Sequence, residues 1–278
     1  MRTALAHFIL EREQVRKNHD LKLARPWTND PILQKYRFCN IRREDDRVTR
    51  WLRKRWRKDH TNVELAMLLA RMVNWPPTLE ELGFPYTWQP KRALRILQER
   101  AARGEKVWGS AYVITTCGRK MEKDDYVVNI VLNEAAKVMP LARPGMKLEQ
   151  YWSKLRQIPG LGAGFIAAQV VADLKFTQHH PLCDAKDWWT WAVPGPGSRR
   201  GIQRYFNNGE LTGRSTPEFL RALHDIMEET WPLLVGKIGP LHAQDWQNCL
   251  CEWDKYMRVV RGEGKPKSLY KPERRYKV

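Results

Sequence analysis

Eleven consecutive residues, His179-His180-Pro181-Leu182-Cys183-Asp184-Ala185-Lys186-Asp187-Trp188-Trp189, carry two imidazoles, two carboxylates, one amine and two indoles. Carboxylates and lysines exchange protons with a substrate when their surroundings tune them, and indoles offer flat faces to a ring ligand. The density is that of a site. His179 and His180 read either as metal ligands, which would need partner ligands from elsewhere in the chain, or as surface histidines of a loop. Downstream, Pro194-Gly195-Pro196-Gly197-Ser198-Arg199-Arg200-Gly201 sets a hydroxyl and two guanidinium groups at a Pro-Gly turn. An arginine pair there suits bidentate phosphate binding; the other reading is a rigid turn whose arginines face water. Arg43-Glu44-Asp45-Asp46 is a third concentration of charge. It reads as a pocket wall, with acids to receive an amine and arginines to hold a phosphate, or as a solvated, salt-bridged helix face. Thr115 to Lys120 brings hydroxyls, Gly118, Arg119 and Lys120 into one loop, either a phosphate contact or a plain turn. Gln247, Asn248, Glu252 and Lys255 recur at three- and four-residue spacing, a polar stripe that would line a pocket beside Trp188.

These groups need elements to hold them, and the central one is Leu155 to Ala168. Its Pro159, Gly160 and Gly162 punctuate a tight turn between a helix ending at Gln157 and a second running from near Ala163 to Leu174. Glycines permit the positive φ such a turn needs. They also let backbone N–H groups approach a phosphate, aided by the dipole of the following helix. The alternative is an ordinary αα-hairpin with no ligand. The pattern is similar to that of the helix-hairpin-helix DNA glycosylases. That resemblance implies DNA contacts at Gly160, Leu161, Gly162 and Gly164; Arg119 and Lys120, on the phosphate-contact reading of their own loop, would add to them. It also implies a catalytic aspartate downstream, at the mouth of a base pocket: Asp184 lies 22 positions after Gly162, with Lys186 and Asp187 beside it. Lyase members carry a lysine two residues after the second hairpin glycine. Gly164 stands there, which excludes Schiff-base chemistry from this position.

Composition narrows the partners. Lys and Arg exceed Asp and Glu by 49 − 31 = 18 charges, which favours a polyanion, nucleic acid before an anionic membrane. No apolar run is long enough to span a bilayer, and the stretch Ala4 to Leu10, broken by His7, is not read as a secretory signal. Five cysteines, an odd number, fit a reducing compartment better than a disulfide framework. Cys249 and Cys251 lack a zinc-type partner pair and are expected to pack inside a helix. Thirteen tryptophans supply both core and stacking platforms.

Periodicity predicts helices over residues 4–18, 31–38, 46–57, 61–74, 91–102, 124–138, 147–157, 216–231 and 242–260. Asp30 before Pro31 reads as a cap, and Asp45 or Asp46 as another. Trp75-Pro76-Pro77 reads as a stop, Thr78 with Glu81 as a capping box, Asp124 or Asp125 as a cap, and residues 107–116 as a strand or short β-hairpin. The expected fold is all-α, a two-lobed helix-hairpin-helix glycosylase-like domain over 1–262 with the hairpin motif at about 147–175 and at most a short β-hairpin. A basic flexible tail is expected over 263–278.

Four longer motifs point further. They are Arg37-Phe38-Cys39-Asn40 with Arg42 to Trp51, Phe165 to Lys175, Pro194 to Gly201, and Gln247-Asn248-Cys249-Leu250-Cys251-Glu252. Together they resemble the alpha-glutamyl/putrescinyl-thymine pyrophosphorylase-like proteins, or amino acid:DNA transferases, whose helical module is also that of the 5-hydroxymethyluracil DNA kinases. The resemblance covers roughly residues 5–272. No Walker A sequence is present. The resemblance implies a bacteriophage pathway, in the cytoplasm of the infected bacterium, that hypermodifies thymidine in double-stranded DNA. A kinase pyrophosphorylates 5-hydroxymethyluracil, and the transferase replaces the pyrophosphate with an amine, from an amino acid or putrescine.

On that basis Asp184 or Asp187, with Lys186 near by, would accept a proton from the incoming ammonium, with Glu44, Asp45 and Asp46 as second choices. Ser198, Arg199, Arg200 and Arg43 would hold the leaving pyrophosphate. Trp188, Gln247, Asn248 and Glu252 would line a pocket receiving a flipped base. A divalent cation such as Mg2+ would assist departure, though no ligand set demands one. The chain is read as a monomer with no membrane partner. Two other readings stand beside this one: a monofunctional glycosylase acting on a modified base, and a non-catalytic DNA-binding module.

Overall fold

Apolar residues at helical spacing, punctuated by proline, asparagine and glycine, build an all-α protein. The computed structural model describes residues 1–58, 61–112, 114–207, 216–266 and 268–270. Among these there is no strand, only an isolated bridge between Tyr36 and Leu269. The chain forms two compact units, Met1–Asp46 with Ala192–Val278, and Arg47–Trp191.

The first unit starts with α1 (Arg2–Asp20), which buries Leu5, Phe8, Ile9 and Val15. Asp30 caps α2 (Pro31–Lys35) as expected, its carboxylate accepting from the amides of Ile32 and Leu33 at 2.8 and 3.0 Å. That helix stops short of Phe38 because Tyr36 is extended.

The second unit begins with α3 (Arg47–Arg55) and the almost wholly buried α4 (Val63–Val73), closed by Asn74 in the left-handed region. Trp75-Pro76-Pro77 does not simply stop the chain: Pro76 opens α5 (Pro76–Leu82), where proline's missing N–H costs nothing. The expected capping box is absent. Thr78 lies inside α5, buried, donating its hydroxyl to the Val107 carbonyl at 2.8 Å, while Glu81 receives Arg100 of α6 (Pro90–Ala102) and Arg103. Residues 107–116 form no strand among those described; Val113 lies outside them. Gly109 donates to Val73 at 2.8 Å and packs on the Asn74 backbone, so this stretch is pinned to helix ends and offers no ladder.

Next, α7 (Lys123–Asp125), with Glu122 and not Asp124 or Asp125 at its cap position, runs into a π-helix, Tyr126–Leu132, and on into α8 (Asn133–Val138). The wider π turn brings Tyr126, Val127, Val128, Val131 and Leu132 all into the core. Two helices follow, α9 (Leu148–Leu155) and α10 (Phe165–Leu174). A buried ion pair ties α10 to α4: both Asp173 oxygens accept from Arg71 at 2.6 Å, and Arg71 also donates to Thr49 at 3.0 Å.

The chain returns to the first unit with α11 (Pro196–Phe206), α12 (Thr216–Thr230) and α13 (Ala243–Val260). Trp246, Trp253, Phe219, Leu223 and Ile226 join Phe8 and Ile9 in its core. The residues expected as a flexible tail begin differently. Ser268 accepts from the Arg37 amide at 3.0 Å, Tyr270 donates to the Lys35 carbonyl at 3.2 Å, and the Tyr270 ring meets Trp27 edge-on at 5.5 Å. Lys267 and residues 271–278 lie outside the described residues. All five cysteines are unpaired, and no described helix is long and apolar enough to cross a membrane.

Candidate nucleic-acid interface

The turn between α9 and α10 is held from below and open above. Ile158 and Leu161 are buried anchors, while Pro159, Gly160, Gly162 and Ala163 are exposed. The turn closes through Leu161 N–H to Ile158 and Gly164 N–H to Leu161, at 3.0 and 2.8 Å. The amides of Gly160, Gly162 and Ala163 take no part in those closing bonds. Glycine is required at two places. Gly160 has φ +86°, and a Cβ there would sit 2.7 Å from Val131 and 2.8 Å from the Tyr126 hydroxyl. Gly164 has φ +80°, and a Cβ there would sit 2.6 Å from Trp152. Gly162, expected to share that role, has neither a positive φ nor a crowded side. Trp152 donates its indole N–H to the Gly164 carbonyl at 2.8 Å. Arg156 lies over the Trp152 ring, 4.6 Å from its centroid, and donates to the Gly162 carbonyl at 2.9 Å.

Tyr126 joins a second expected contact to this turn. Besides touching Gly160, its phenol donates to the Cys117 thiol sulfur at 3.2 Å. Burial and that bond push the phenol up to about 12, so it keeps its proton. The loop bearing Arg119 and Lys120, both exposed, is therefore braced against the underside of the hairpin.

The residues after α10 divide sharply. Asp187 is a structural cap: its two oxygens accept from the α9 amides of Leu148 and Glu149 at 2.7 and 3.1 Å. Trp188 is bound to buried Lys175, whose ammonium lies 4.2 Å from the ring centroid and donates to the Trp188 carbonyl, while the indole donates to the Lys175 carbonyl at 3.0 Å. His180 is buried, accepts from the Leu182 amide at 3.2 Å and faces Glu64 at 3.4 Å, so it is neither a metal ligand nor a surface residue. Asp184 and Lys186 are exposed. Burial and a hydrogen bond to Asp184 push the Cys183 thiol up. Among the described residues no three His, Cys, Asp or Glu side chains gather as a metal-binding group.

In the first unit, most of the expected phosphate and pocket groups hold the fold together. Ser198 is buried and exchanges hydrogen bonds with Gly195, at 3.0 Å in each direction. Arg200 and Arg204 clasp buried Asp254 at 2.8 and 2.7 Å. Arg199 lies over the Phe219 ring at 5.9 Å, with its Nη1 given no acceptor. The glycines of this turn serve helix packing: a Cβ at Gly197 would meet Cys251 at 2.3 Å, and one at Gly201 the Leu250 carbonyl at 2.5 Å. On α13, Glu252 accepts from the Cys39 amide at 3.1 Å, Asn248 donates to the Asn40 carbonyl at 2.9 Å, and Asp245 accepts from the Arg43 amide at 3.1 Å. This face fastens the segment 39–43, which Arg12 grips from α1 through the Phe38 and Cys39 carbonyls. Gln247 is half-buried on the same helix, near Gly195. Arg43 itself is buried, Asp45 pairs with Arg16 at 3.2 Å, and Glu44 and Asp46 are half-buried beside it.

A family model described as the helical domain of 5-hmdU DNA kinase matches residues 1–266. The chain belongs to that helical-domain family. It is also 26% identical over 209 residues to the 5-hmdU DNA kinase of Bacillus phage SP10, a match covering 66% of this chain and 33% of the relative. The chain thus spans about a third of the length of that curated relative. No solved structure matches. The relation expected from the four motifs is shown at this level, to the helical domain of the 5-hmdU DNA kinases.

Several residues that shape this helical domain's hairpin escaped the sequence reading: Trp152, Arg156, Tyr126 and Phe165. Arg156 and Trp152 lie one turn apart in front of Pro159, a spacing that would have flagged them. Phe165 interrupts the buried face of α10 on its exposed side. Tyr126 had no signal, because only the π turn brings it under Gly160.

Proposed function

We propose that this chain binds DNA through the hairpin at 158–164 and serves phage thymidine hypermodification on that DNA. The observation carrying the reading is the hairpin itself: exposed Gly160, Gly162 and Ala163 on a turn held on Trp152 and Tyr126 and flanked by Arg156, Arg119 and Lys120. Membership of the 5-hmdU DNA kinase helical-domain family supports the choice of modified thymidine, and the net charge of +18 supports a polyanionic partner. A helix-hairpin-helix glycosylase-like fold is the architecture this reading assigns.

The chemical step we assign is substitution at the exocyclic carbon of the base. An amine nitrogen forms a bond to that carbon, the carbon–oxygen bond to pyrophosphate breaks, and the amine's extra proton passes to a carboxylate. Asp184 is the candidate acceptor, since it is exposed while Asp187 is occupied at the α9 terminus. A second reading, a DNA-binding module without turnover, draws on Ser198, Arg200, Asn248 and Glu252 all being engaged within the fold.

The test is DNA carrying 5-pyrophosphoryloxymethyluracil, incubated with the protein and a pool of amino acids and polyamines, then digested for nucleoside mass spectrometry. An aminomethyl-linked nucleoside with released pyrophosphate is the expected product, and Asp184→Asn should abolish it while DNA binding persists. An unchanged profile with tight binding selects the module; loss of the base selects a glycosylase.

A further inference from the structure

Phe165, the first residue of α10, is 46% exposed on a helix whose apolar side chains are otherwise almost all buried. It follows Gly164 directly, so its ring stands at the lip of the hairpin. Tyr112, from the unit's 107–112 stretch, meets it edge-on with ring centroids 5.3 Å apart and planes at 73°. Tyr112 is itself fixed to α10, donating its hydroxyl to Gln169 at 3.1 Å, one helical turn beyond Phe165. An edge-on pair covers at most one ring face, leaving aromatic surface for a third ring. Just under half of the residue stays open to solvent.

The surroundings identify the occupant. An apolar protein partner would need a contiguous apolar patch. On the hairpin just before Phe165, Gly162 and Ala163 are exposed and Arg156 donates to the Gly162 carbonyl, while Gln169 one turn on is half-buried. A cation on the hairpin next to a half-open aromatic ring suits a single nucleotide of a strand: the cation for its phosphate, the ring for its base.

We propose that Phe165, braced by Tyr112, is a stacking step for an unpaired nucleobase of the DNA strand whose phosphate lies on the hairpin. The proposal rests on the hairpin's being the DNA contact and adds to it a structure preference. The protein distinguishes DNA with an unstacked base from fully paired duplex, and it does so through this ring.

The experiment measures binding of the full chain to two duplexes, one fully paired and one with a single unpaired 2-aminopurine, by anisotropy and by 2-aminopurine emission. The wild type is expected to bind the unpaired site more tightly and to quench its emission by stacking. Phe165→Ala should cost about ten-fold in affinity for that site, within the range of one base–aromatic stack, and should restore the emission. Affinity for paired duplex should change less than about two-fold. Phe165→Trp should keep both preference and quenching. Helical circular dichroism checks that the variants are folded. Preference and quenching that survive Phe165→Ala, or a wild type that binds both duplexes equally, would overturn the stacking step while leaving the hairpin contact standing. No binding to either duplex would remove both.

Discussion

Two turns in this molecule look alike in sequence, and the structure uses them differently. Ile158 to Gly164, with Arg156 just before it, and Pro194 to Gly201, with Arg199 and Arg200 inside it, each combine proline with three glycines next to a helix. In the first, Gly160 and Gly164 adopt φ values of +86° and +80° and rest on aromatic rings, leaving Gly160, Gly162 and Ala163 facing out. In the second, Gly197 and Gly201 face inward so that α11 can lie against the Cys251 side chain and the Leu250 backbone. Its arginines are drawn the same way, Arg200 to Asp254 and Arg199 across Phe219. Glycine serves one turn through backbone conformation and the other through its lack of a side chain.

The largest effect should come from the anchor of the hairpin, the Arg71–Asp173 pair. Both partners are almost fully buried, so Asp173→Ala removes the carboxylate that accepts two hydrogen bonds from the Arg71 guanidinium and should cost about 3–5 kcal/mol in urea unfolding. Survival of that variant at near wild-type stability would mean that α10 is held by apolar packing alone. Next comes Gly201→Ala, whose Cβ meets the Leu250 carbonyl at 2.5 Å. Overpacking of this kind costs about 1–3 kcal/mol, and DNA affinity of the folded fraction should not change. Gly164→Ala is the counterpart in the other turn. A left-handed φ and the 2.6 Å approach to Trp152 should cost about 1–2 kcal/mol. Unlike Gly201→Ala, it should also weaken DNA binding, because the displaced turn carries the exposed Gly160, Gly162 and Ala163 of the proposed contact. Equal loss of affinity in both variants would erase the functional difference between the turns.

Helix existence was legible where periodicity was strong: α1, α4, α6, α12 and α13 fall close to their expected spans. Local chemistry failed where a tertiary partner outbid it. Thr78 and Glu81 have capping-box spacing, yet Val107 and Arg100 take them. The polar stripe on α13 was visible, but its target was not, since only the fold shows that segment 39–43 lies against it. For the same reason Asp187 looked catalytic beside Asp184. The α9 N-terminus that occupies it is 38 and 39 residues away in sequence. The turn was the most legible feature, because the capacity for positive φ is written into glycine itself, although Gly164 and not Gly162 is the second position that uses it.

The smallest effect concerns Arg156, and it bears most directly on what the open turn is for. Its guanidinium is stacked on Trp152 and bonded to Gly162, yet the residue is exposed. Arg156→Gln gives up one exposed cation–π contact and should therefore cost only about 0.5–1 kcal/mol of stability. If the residue pairs with a DNA phosphate, the same change should lower the dependence of log affinity on log salt by about one and weaken binding to all sequences alike. Arg200→Gln offers the matching control: it uncovers part of buried Asp254, so it should cost stability while leaving the salt dependence intact. Should the salt dependence fall for Arg200→Gln and hold for Arg156→Gln, the anion-binding turn would be the one at 194–201, and the assignment of the two turns would have to be exchanged.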